Sequence, residues 1–389
     1  MSETTVPTRV PASRQPRDYR LDFFRGLALV FIFMDHIPDN TLSYLTLRSF
    51  ALSDAAEVFI FISGLTAGLV YGRALLRDGA VMAAAHVWRR VWQLYVAHLC
   101  LFMLFNAEVS YTVIHFDNPL FADELRAGAY LDRPDETILR VLLLQFQPAF
   151  LNILPLYIAL MLVFPLVLVA LRWHPLVALL PSFLLWGAAQ VWSINLPGYP
   201  GDGEWYFNPF AWQFLFVIAA YFGFRQARAL PPLRLPPSLL LAAAALAVTG
   251  CVIQATSIMH LLFELPVRPV VLPLWAVDKT PLPLLRLLSI LSLACLVSRL
   301  VPRHAPCLTS RPGWLMVLCG QQSLYLFCFS ILLSVLGNAV LTGLGGRLLV
   351  QVAVNAAGIL LLAGLGLLLS WYGGGGRLPE RPRSGEAAA

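Results

Sequence analysis

One apolar segment of the chain carries ionisable side chains whose spacing suits acid–base chemistry. The segment 20–38 holds Asp22, Arg25, Asp35 and His36 among residues typical of a membrane-spanning helix. Each ionisable group at membrane depth costs about 2.5–3.5 kcal/mol by insertion scales, so such groups commonly have a function. Arg25 and His36 are 11 residues apart, about 20° from three full helical turns and roughly 16 Å along the axis. The spacing therefore predicts one face with a guanidinium near one end and an imidazole near the other. Asp22 joins this face, and Asp35 points to a neighbour.

His36 is the candidate general base of this face. Imidazole titrates near neutral pH, which is what proton transfer from a hydroxyl requires. A histidine at a helix end is also often a hydrogen-bonded structural residue, and this alternative stays open.

Two carboxylates begin the next apolar segment and are candidates to orient His36. Asp54 and Glu57 are one helical turn apart, and Glu57 is about 20° short of two turns from Gly64. Because Gly64, Gly68 and Gly72 form a small-residue face that packs closely, Glu57 is predicted to point into the bundle towards the first helix. There it would hold the imidazole in one tautomer or pair with the face of Arg25. The alternative is a packing groove with solvated acids at its mouth. The candidate catalytic set is His36, Arg25, Glu57 and Asp54.

Arg89 and Arg90 precede the third apolar segment and are candidates for phosphate binding. Paired guanidiniums suit phosphates, although ordinary positive-inside anchoring is the alternative. Oxyanion donors can be sought among Asn152, Gln213 and Gln321, and Ser63 is the nearest candidate nucleophile. We expect Ser63 to lie on the glycine packing face. The six other histidines, including His98, have no polar neighbours in sequence and are predicted to be structural.

Composition indicates an all-α, polytopic membrane protein. Only 12% of the 389 residues are charged and 59% are hydrophobic, whereas soluble domains carry about 25% charged residues. The net charge of +6 comes from arginines spread over short loops, which does not indicate nucleic acid as a partner. The six cysteines are scattered and lack metal-ligand spacing, so we expect neither a disulfide framework nor a metal site.

Apolar stretches of about 20 residues predict about ten transmembrane helices in a single domain, 20–372. A disordered cytosolic arm, 1–19, and a disordered cytosolic tail, 373–389, are predicted on either side. The ninth span is long and is predicted to bend at Gly320. The predicted spans are 21–38, 54–75, 90–114, 152–171, 175–193, 209–225, 236–255, 282–301, 314–340 and 346–371.

The basic residues predict that both termini face the cytosol. Eighteen Arg residues fall on the side of the N-terminus and eight basic residues on the other. Lys and Arg prefer the cytosolic side of a membrane protein. The opposite loops, 117–136, 194–208 and 260–281, collect acids and aromatic residues. Aromatic rings beside polar groups suit a sugar, although an interfacial aromatic belt is the alternative.

Two stretches of sequence closely resemble the start of the OpgC family of membrane proteins. They are RDYRLDFFRGLALVFIFMDHIP and TLRSFALSDAAEVFIFISGLTAGLVYG, and shorter similarities at 153–162, 207–218, 277–288 and 320–334 extend over nearly the whole chain. The family is linked to O-succinylation of osmoregulated periplasmic glucans. More distantly, LDFFRG, a following His and FIFISG resemble the acyltransferase-three superfamily of integral-membrane acyltransferases. There the Arg and His of the first helix are the functional pair, which implies that Arg25 and His36 act together.

The resemblance implies an O-acyltransferase of the bacterial inner membrane. An acyl-CoA such as succinyl-CoA would be a cytosolic co-substrate, with no tightly bound cofactor, and Arg89 and Arg90 would bind its phosphates. The acceptor would be a hydroxyl of a periplasmic glucan or another envelope carbohydrate. Other partners would be the lipid bilayer and other glucan-biosynthesis proteins.

Two other classes of protein remain open at this stage. One is a transporter or flippase of an envelope-glycan precursor, because charges at membrane depth also occur in transport pathways. The other is a non-catalytic assembly protein. For the enzyme, we expect Arg25, His36 and Glu57 to line one shared cavity that opens to both faces.

Overall fold

The computed structural model describes residues 17–116, 128–201, 203–263 and 272–381, and within them the fold is all-α, as predicted. Short helices cover Gly128–Asp132, Pro134–Leu142, Leu274–Val277 and Pro306–Thr309, and 3₁₀ turns cover Thr41–Leu45 and Leu47–Ser49. The longer helices are α1 (Tyr19–Asp35), α2 (Ala55–Phe116), α3 (Ile153–Trp173), α4 (Pro175–Trp192), α5 (Pro209–Ala227), α6 (Pro237–Phe263), α7 (Leu284–Leu300), α8 (Arg311–Gln321), α9 (Ser323–Leu344) and α10 (Leu348–Gly373).

Six of the described helices are long and apolar enough to cross a membrane, and they make this a multi-pass membrane protein. They are α2, α3, α4, α6, α9 and α10. The 59 residues Ala55–Val113 of α2, at 1.5 Å per residue, would be about three times as long as a bilayer core is thick if the helix were straight. The helix instead breaks at Gly79, whose φ of +84° is open to glycine at little cost. We call residues 55–78 the first arm of α2 and residues 80–116 the second arm.

The bundle has two ends, which we name after the residues at the start and finish of α1. At the Arg20 end, the Arg20 guanidinium donates to the Val301 carbonyl oxygen just after α7 (2.9 Å). At the His36 end, the beginning of α7 contacts the beginning of α2 through Arg286 and Glu57. α7 therefore runs from the His36 end to the Arg20 end, parallel to the first arm of α2.

Folded structure begins earlier than the predicted boundary at residue 20. Asp18 caps α1 by accepting from the Arg20 backbone N–H (3.2 Å), and the Arg17 guanidinium donates to Asp22 at 2.7 and 3.1 Å. Residues 17–19 thus belong to the bundle, since a side-chain cap satisfies backbone donors that a helix start leaves free. The rest of the predicted arm, 1–16, and the last residues of the predicted tail, 382–389, lie outside the described residues.

α1 and α8 approach each other through two glycines. A Cβ at Gly26 would lie 2.0 Å from the Met316 carbonyl oxygen, and a Cβ at Gly320 would lie 1.8 Å from that of Asp22. The predicted bend at Gly320 is therefore wrong: Gly320 lies inside α8, and the chain breaks at Gln322, between α8 and α9. Glycine is needed at this position for close approach and not for a turn.

The glycine face of α2 is a packing surface, as predicted, and its partner is α5. A Cβ at Gly64 would lie 2.4 Å from the Phe216 carbonyl oxygen, and one at Gly68 would lie 2.1 Å from that of Ala220. The contact is reciprocal, because a Cβ at Gly223 would lie 2.0 Å from the Leu65 carbonyl oxygen. Backbone thus meets backbone along this seam, which leaves no room for a side chain.

We expect Gly68→Val to destabilise the protein by at least the 1–3 kcal/mol that is typical of overpacking, because the Ala220 carbonyl cannot give way without moving α5. Thermal unfolding in detergent micelles measures the effect. Gly187→Ala is the control, since a Cβ at Gly187 meets nothing within 4 Å. Equal melting temperatures for Gly68→Val and wild type would contradict the close packing of α2 against α5 at Gly68.

Candidate active site

Arg25 lies largely buried on α1 and has few protein partners. Its Nη2 donates to the Thr66 hydroxyl at 2.6 Å and weakly to the Ile62 carbonyl oxygen at 3.5 Å. Its Nη1 lies 3.8 Å from Asp22, as the shared helix face predicted, but Asp22 is already bound by Arg17. A guanidinium carries five N–H donors, so this one retains capacity for a further acceptor.

The remaining side of Arg25 faces a cavity of about 290 Å³. Its polar lining includes Ser63, Thr66, Tyr71 and Arg90, in addition to Arg25. Its walls are apolar and aromatic, with Phe59, Leu94, Leu154, Tyr157 and Phe327 among them. The size is at the lower limit for a small-ligand pocket. It suits a narrow group better than a whole nucleotide.

A second, smaller cavity continues from the first at the turn of α2. It measures about 180 Å³, is lined by His86, Arg89, Arg90 and Gln93, and shares Tyr71 and Arg90 with the first cavity. The structure thus brings the predicted phosphate-binding pair and Arg25 together along one path. No carboxylate is among the lining residues in the described part of the chain, so both cavities are electropositive and suit an anion.

His36 lies at the opposite end of α1 and does not line either cavity. It caps the helix, and its ring stacks on Phe150 with centroids 4.4 Å apart. The expectation of one cavity shared by Arg25, His36 and Glu57 is therefore wrong for this structure. The Nδ1 atom of His36 is buried and has no hydrogen-bond partner. Phe150 has a φ of +72°, which a bulky residue seldom adopts. Its ring thus stacks on the imidazole from a strained backbone conformation.

Asp54 and Glu57 bind cations of α7 and its preceding loop, and not His36. Glu57 is fully buried and accepts from Arg286 at 2.6 Å, while Asp54 accepts from Arg286 at 3.2 Å and pairs with Lys279. The two acids also cap α2: the Asp54 backbone N–H donates to Glu57 and the Ala56 N–H donates to Asp54, each at 2.9 Å. This is a capping box. The predicted contacts of Glu57 with His36 or Arg25 are wrong, because both of its oxygens have other donors.

Lys279 places charge next to His36 from a loop held rigidly between helices. Burial alone would lower the pKa of its ammonium, but the carboxylates of Asp54 and Glu57 more than offset this and raise its pKa. The charges of both Asp54 and Lys279 act on the His36 ring. The Lys279 carbonyl accepts from the Trp212 indole at 3.0 Å, and the Leu282 carbonyl accepts from Trp186 at 3.0 Å. These contacts therefore hold Lys279 in place against Asp54.

A family model for the OpgC protein matches residues 17–374, which is almost the whole described chain. The chain belongs to the OpgC family. No curated protein and no solved structure matches it. The family assignment agrees with the resemblance of the first two apolar segments, and both arginines of the cavity lie within the matched range.

The other candidate residues of this OpgC family member differ in their hydrogen-bond partners and in whether they line the cavity. Gln213 is fully engaged with Ser182 and the Phe210 carbonyl oxygen, so it has no free donor. Asn152 is buried with its Oδ1 unpartnered. Ser63 lines the Arg25 cavity, so its predicted place on the packing face is wrong: that face belongs to Gly64, about 100° around the helix. Parts of all three predicted sugar-facing loops, 117–127, 202 and 264–271, lie outside the described residues.

Sequence reasoning missed Thr66, Tyr71, Arg286 and Lys279. Thr66 lies about one turn and Tyr71 about two and a half turns beyond Ile62, and both line the cavity. Helical periodicity could not identify them without the register of α1 on α2. The Asp54-x-x-Glu57 spacing before an apolar run is a capping-box signal that could have been recognised.

We expect Arg286→Met to destabilise the protein by about 3–5 kcal/mol, since it leaves the buried Glu57 carboxyl group without the cation that binds it. Glu57→Met should destabilise the protein less, because Arg286 keeps Asp54 as a partner. The double variant should recover most of that loss, because two apolar side chains of similar length replace the pair. Chemical or thermal unfolding of the four proteins gives the coupling energy. Additive losses in the double variant would show that the two side chains do not form one unit.

Proposed function

We propose that this OpgC family member is an inner-membrane O-acyltransferase that moves an acyl group, succinyl in the first instance, from acyl-CoA to a hydroxyl of a periplasmic glucan. Family membership supports a membrane protein of glucan succinylation. The observation that carries the proposal is the electropositive path from Arg89 and Arg90 to Arg25, which suits an anionic donor with a narrow arm. The nucleotide phosphates would stay at the arginine pair, and the acyl arm would enter the larger cavity.

The proposed orientation places the arginine pair at the cytosol, where acyl-CoA is made. In this proposal the two arms of α2 cross the membrane separately and α8 with α9 crosses as one broken helix, so that the ten longer helices make ten passes. With the N-terminus inside, the Arg20 end is cytosolic and the His36 end is periplasmic. Donor and acceptor would then approach α1 from opposite sides.

In the proposed reaction His36 removes the proton from the acceptor hydroxyl. The oxygen attacks the thioester carbonyl carbon, the C–S bond breaks, and the coenzyme A thiolate leaves and takes up the proton from His36. Asp54 and Lys279 act as positioning residues in this proposal, since their charges act on the imidazole without hydrogen-bonding to it. Arg25 binds either the carboxylate of the acyl group or a phosphate.

The geometry requires a movement before chemistry. Arg25 and His36 are roughly 16 Å apart along α1. Phe59, Leu94 and Leu154 form the wall on the side of the cavity towards the His36 end. The acyl group would reach His36 when this wall opens, as in enzymes whose binding step assembles the reacting groups.

A flippase of a glycan precursor is the second candidate, favoured by the same electropositive cavity. Release of free coenzyme A from succinyl-CoA by purified protein in nanodiscs separates the two, because a flippase breaks no thioester. Mass spectrometry of the glucan acceptor then reports the ester. An assembly protein would give neither signal.

We expect His36→Gln to lower glucan acylation by about 10²–10⁴-fold, the contribution typical of a general base. The amide preserves size and polarity but does not titrate near neutral pH. Release of coenzyme A measures the rate, and size-exclusion profiles and melting temperature report folding. His304→Gln, an exposed histidine near the start of α8, is the matched control and should behave as wild type. Full activity in a folded His36→Gln protein would show that His36 is not the general base.

We expect Arg90→Gln to raise the KM for succinyl-CoA by about tenfold to a hundredfold, because a charge-assisted hydrogen bond of about 1.5–3 kcal/mol is lost, with little change in kcat. With a succinyl thioester of N-acetylcysteamine, which has no phosphates, wild type and variant should have the same KM. Arg172→Gln is the control, since Arg172 is exposed at the same end of the bundle and lines neither cavity. Equal effects of both substitutions on KM would favour simple membrane anchoring.

A further inference from the structure

Buried polar atoms without a partner are concentrated near the His36 end of the bundle. Of eight such atoms in the described residues, six belong to five residues on three adjoining segments. The segments are the end of α1, the second arm of α2 and the loop that leads into α3. The five residues are His36, His98, Asn106, Gln147 and Asn152. Buried polar groups are nearly always satisfied, so this concentration requires an explanation.

His98 is the extreme case. It is fully buried, and neither of its ring nitrogens has a hydrogen-bond partner. A neutral imidazole has one donor and one acceptor, and each one left unmade in the interior costs about 1–3 kcal/mol. Its neighbours on the same helix, Leu94, Leu101 and Phe102, are buried and apolar. A leucine or phenylalanine would fit such a position at lower cost, so packing alone does not account for histidine.

The second arm of α2 carries His98 along the face that lines the cavity. Arg90, Leu94 and His98 are spaced by four residues, which places them on one face of the helix, and the first two line the cavity. His98 therefore lies one turn beyond the cavity wall, towards the His36 end.

The register between α2 and α3 places His98 at about the same height along the bundle as the loop that contacts His36. The Trp88 indole donates to the Leu162 carbonyl oxygen at 3.4 Å, and the two helices run in opposite directions. His98 comes ten residues after Trp88, and Asn152 comes ten residues before Leu162. Because the helices are antiparallel, both residues lie roughly 15 Å from that hydrogen bond in the direction of the His36 end. Phe150, two residues from Asn152, stacks on His36.

We propose that His98 is a second imidazole of the acyl-transfer site, which donates its ring N–H to the thioester carbonyl oxygen. The inference rests on the proposed function. When the acceptor oxygen, deprotonated at His36, attacks the carbonyl carbon, negative charge develops on the carbonyl oxygen and His98 stabilises it. The C–S bond then breaks and the thiolate takes the proton from His36. His98 gives a hydrogen bond and transfers no proton, which a buried neutral imidazole can do.

The test compares His98→Leu with amide replacements in nanodiscs. His98→Leu should lower kcat by about 10²–10³-fold, the cost typical of losing one oxyanion donor, with the KM for succinyl-CoA roughly unchanged. Its melting temperature should equal or exceed that of wild type, since two unsatisfied polar atoms are removed. His98→Gln offers an N–H near the position of Nε2 and His98→Asn near that of Nδ1. One of them should restore part of kcat, with the pH profile of wild type.

The controls separate three outcomes. His115→Leu lies on the same arm, but His115 is exposed and contacts the Tyr111 carbonyl oxygen, so kcat and melting temperature should match wild type. If wild type transfers acyl groups and His98→Leu keeps at least half of its kcat, His98 is a packing residue and the proposal is overturned. The same holds if both amide variants fold but neither exceeds His98→Leu. If wild-type protein gives no transfer while folded, the proposed function itself fails.

Discussion

A buried guanidinium with too few protein acceptors is the constraint on which this bundle depends. Arg25 has a hydroxyl at 2.6 Å and a carboxylate at 3.8 Å that a second arginine already binds. An ionised group cannot be left dry in an apolar interior, so space for water or an anion must adjoin it. The cavity meets this requirement, and its continuation to Arg89 and Arg90 gives the space a polar entrance. Charge, cavity and entrance are thus one feature.

At the opposite end of the bundle, the buried charges are paired with one another within the protein. There two carboxylates, Asp54 and Glu57, meet two cations, Arg286 and Lys279, and the charges balance within the protein. A balanced and hydrogen-bonded network has little capacity for a ligand, but it joins α2 to α7 and fixes the loop that carries Lys279. His36 sits next to this network without a direct bond to it. Its imidazole therefore stays free to bind something else.

The sequence predicted what depends on local periodicity and failed where distant segments meet. The apolar spans, the glycine seam of α2 and the shared face of Asp22 and Arg25 all follow from spacing along one helix. Glu57 and Arg286 are 229 residues apart, so no local pattern could pair them. Gly320 looked like a bend because glycine serves both turns and close contacts, and only its neighbour Asp22 distinguishes the two. The sequence predicted a structural role for His98 and could not show that both of its ring nitrogens are buried without a partner, because burial depends on distant segments.

The separation of Arg25 from His36 bears on how the proposed reaction avoids hydrolysis of its thioester donor. Water competes with the acceptor hydroxyl for the base, and attack by water would hydrolyse the thioester. In this structure Phe59, Leu94 and Leu154 line the cavity, and His36 lies outside it. The proposed reaction would therefore keep donor binding apart from deprotonation of the acceptor until these apolar side chains move. Transfer then requires both substrates to be in place, which suits an enzyme whose donor and acceptor come from opposite sides of a membrane.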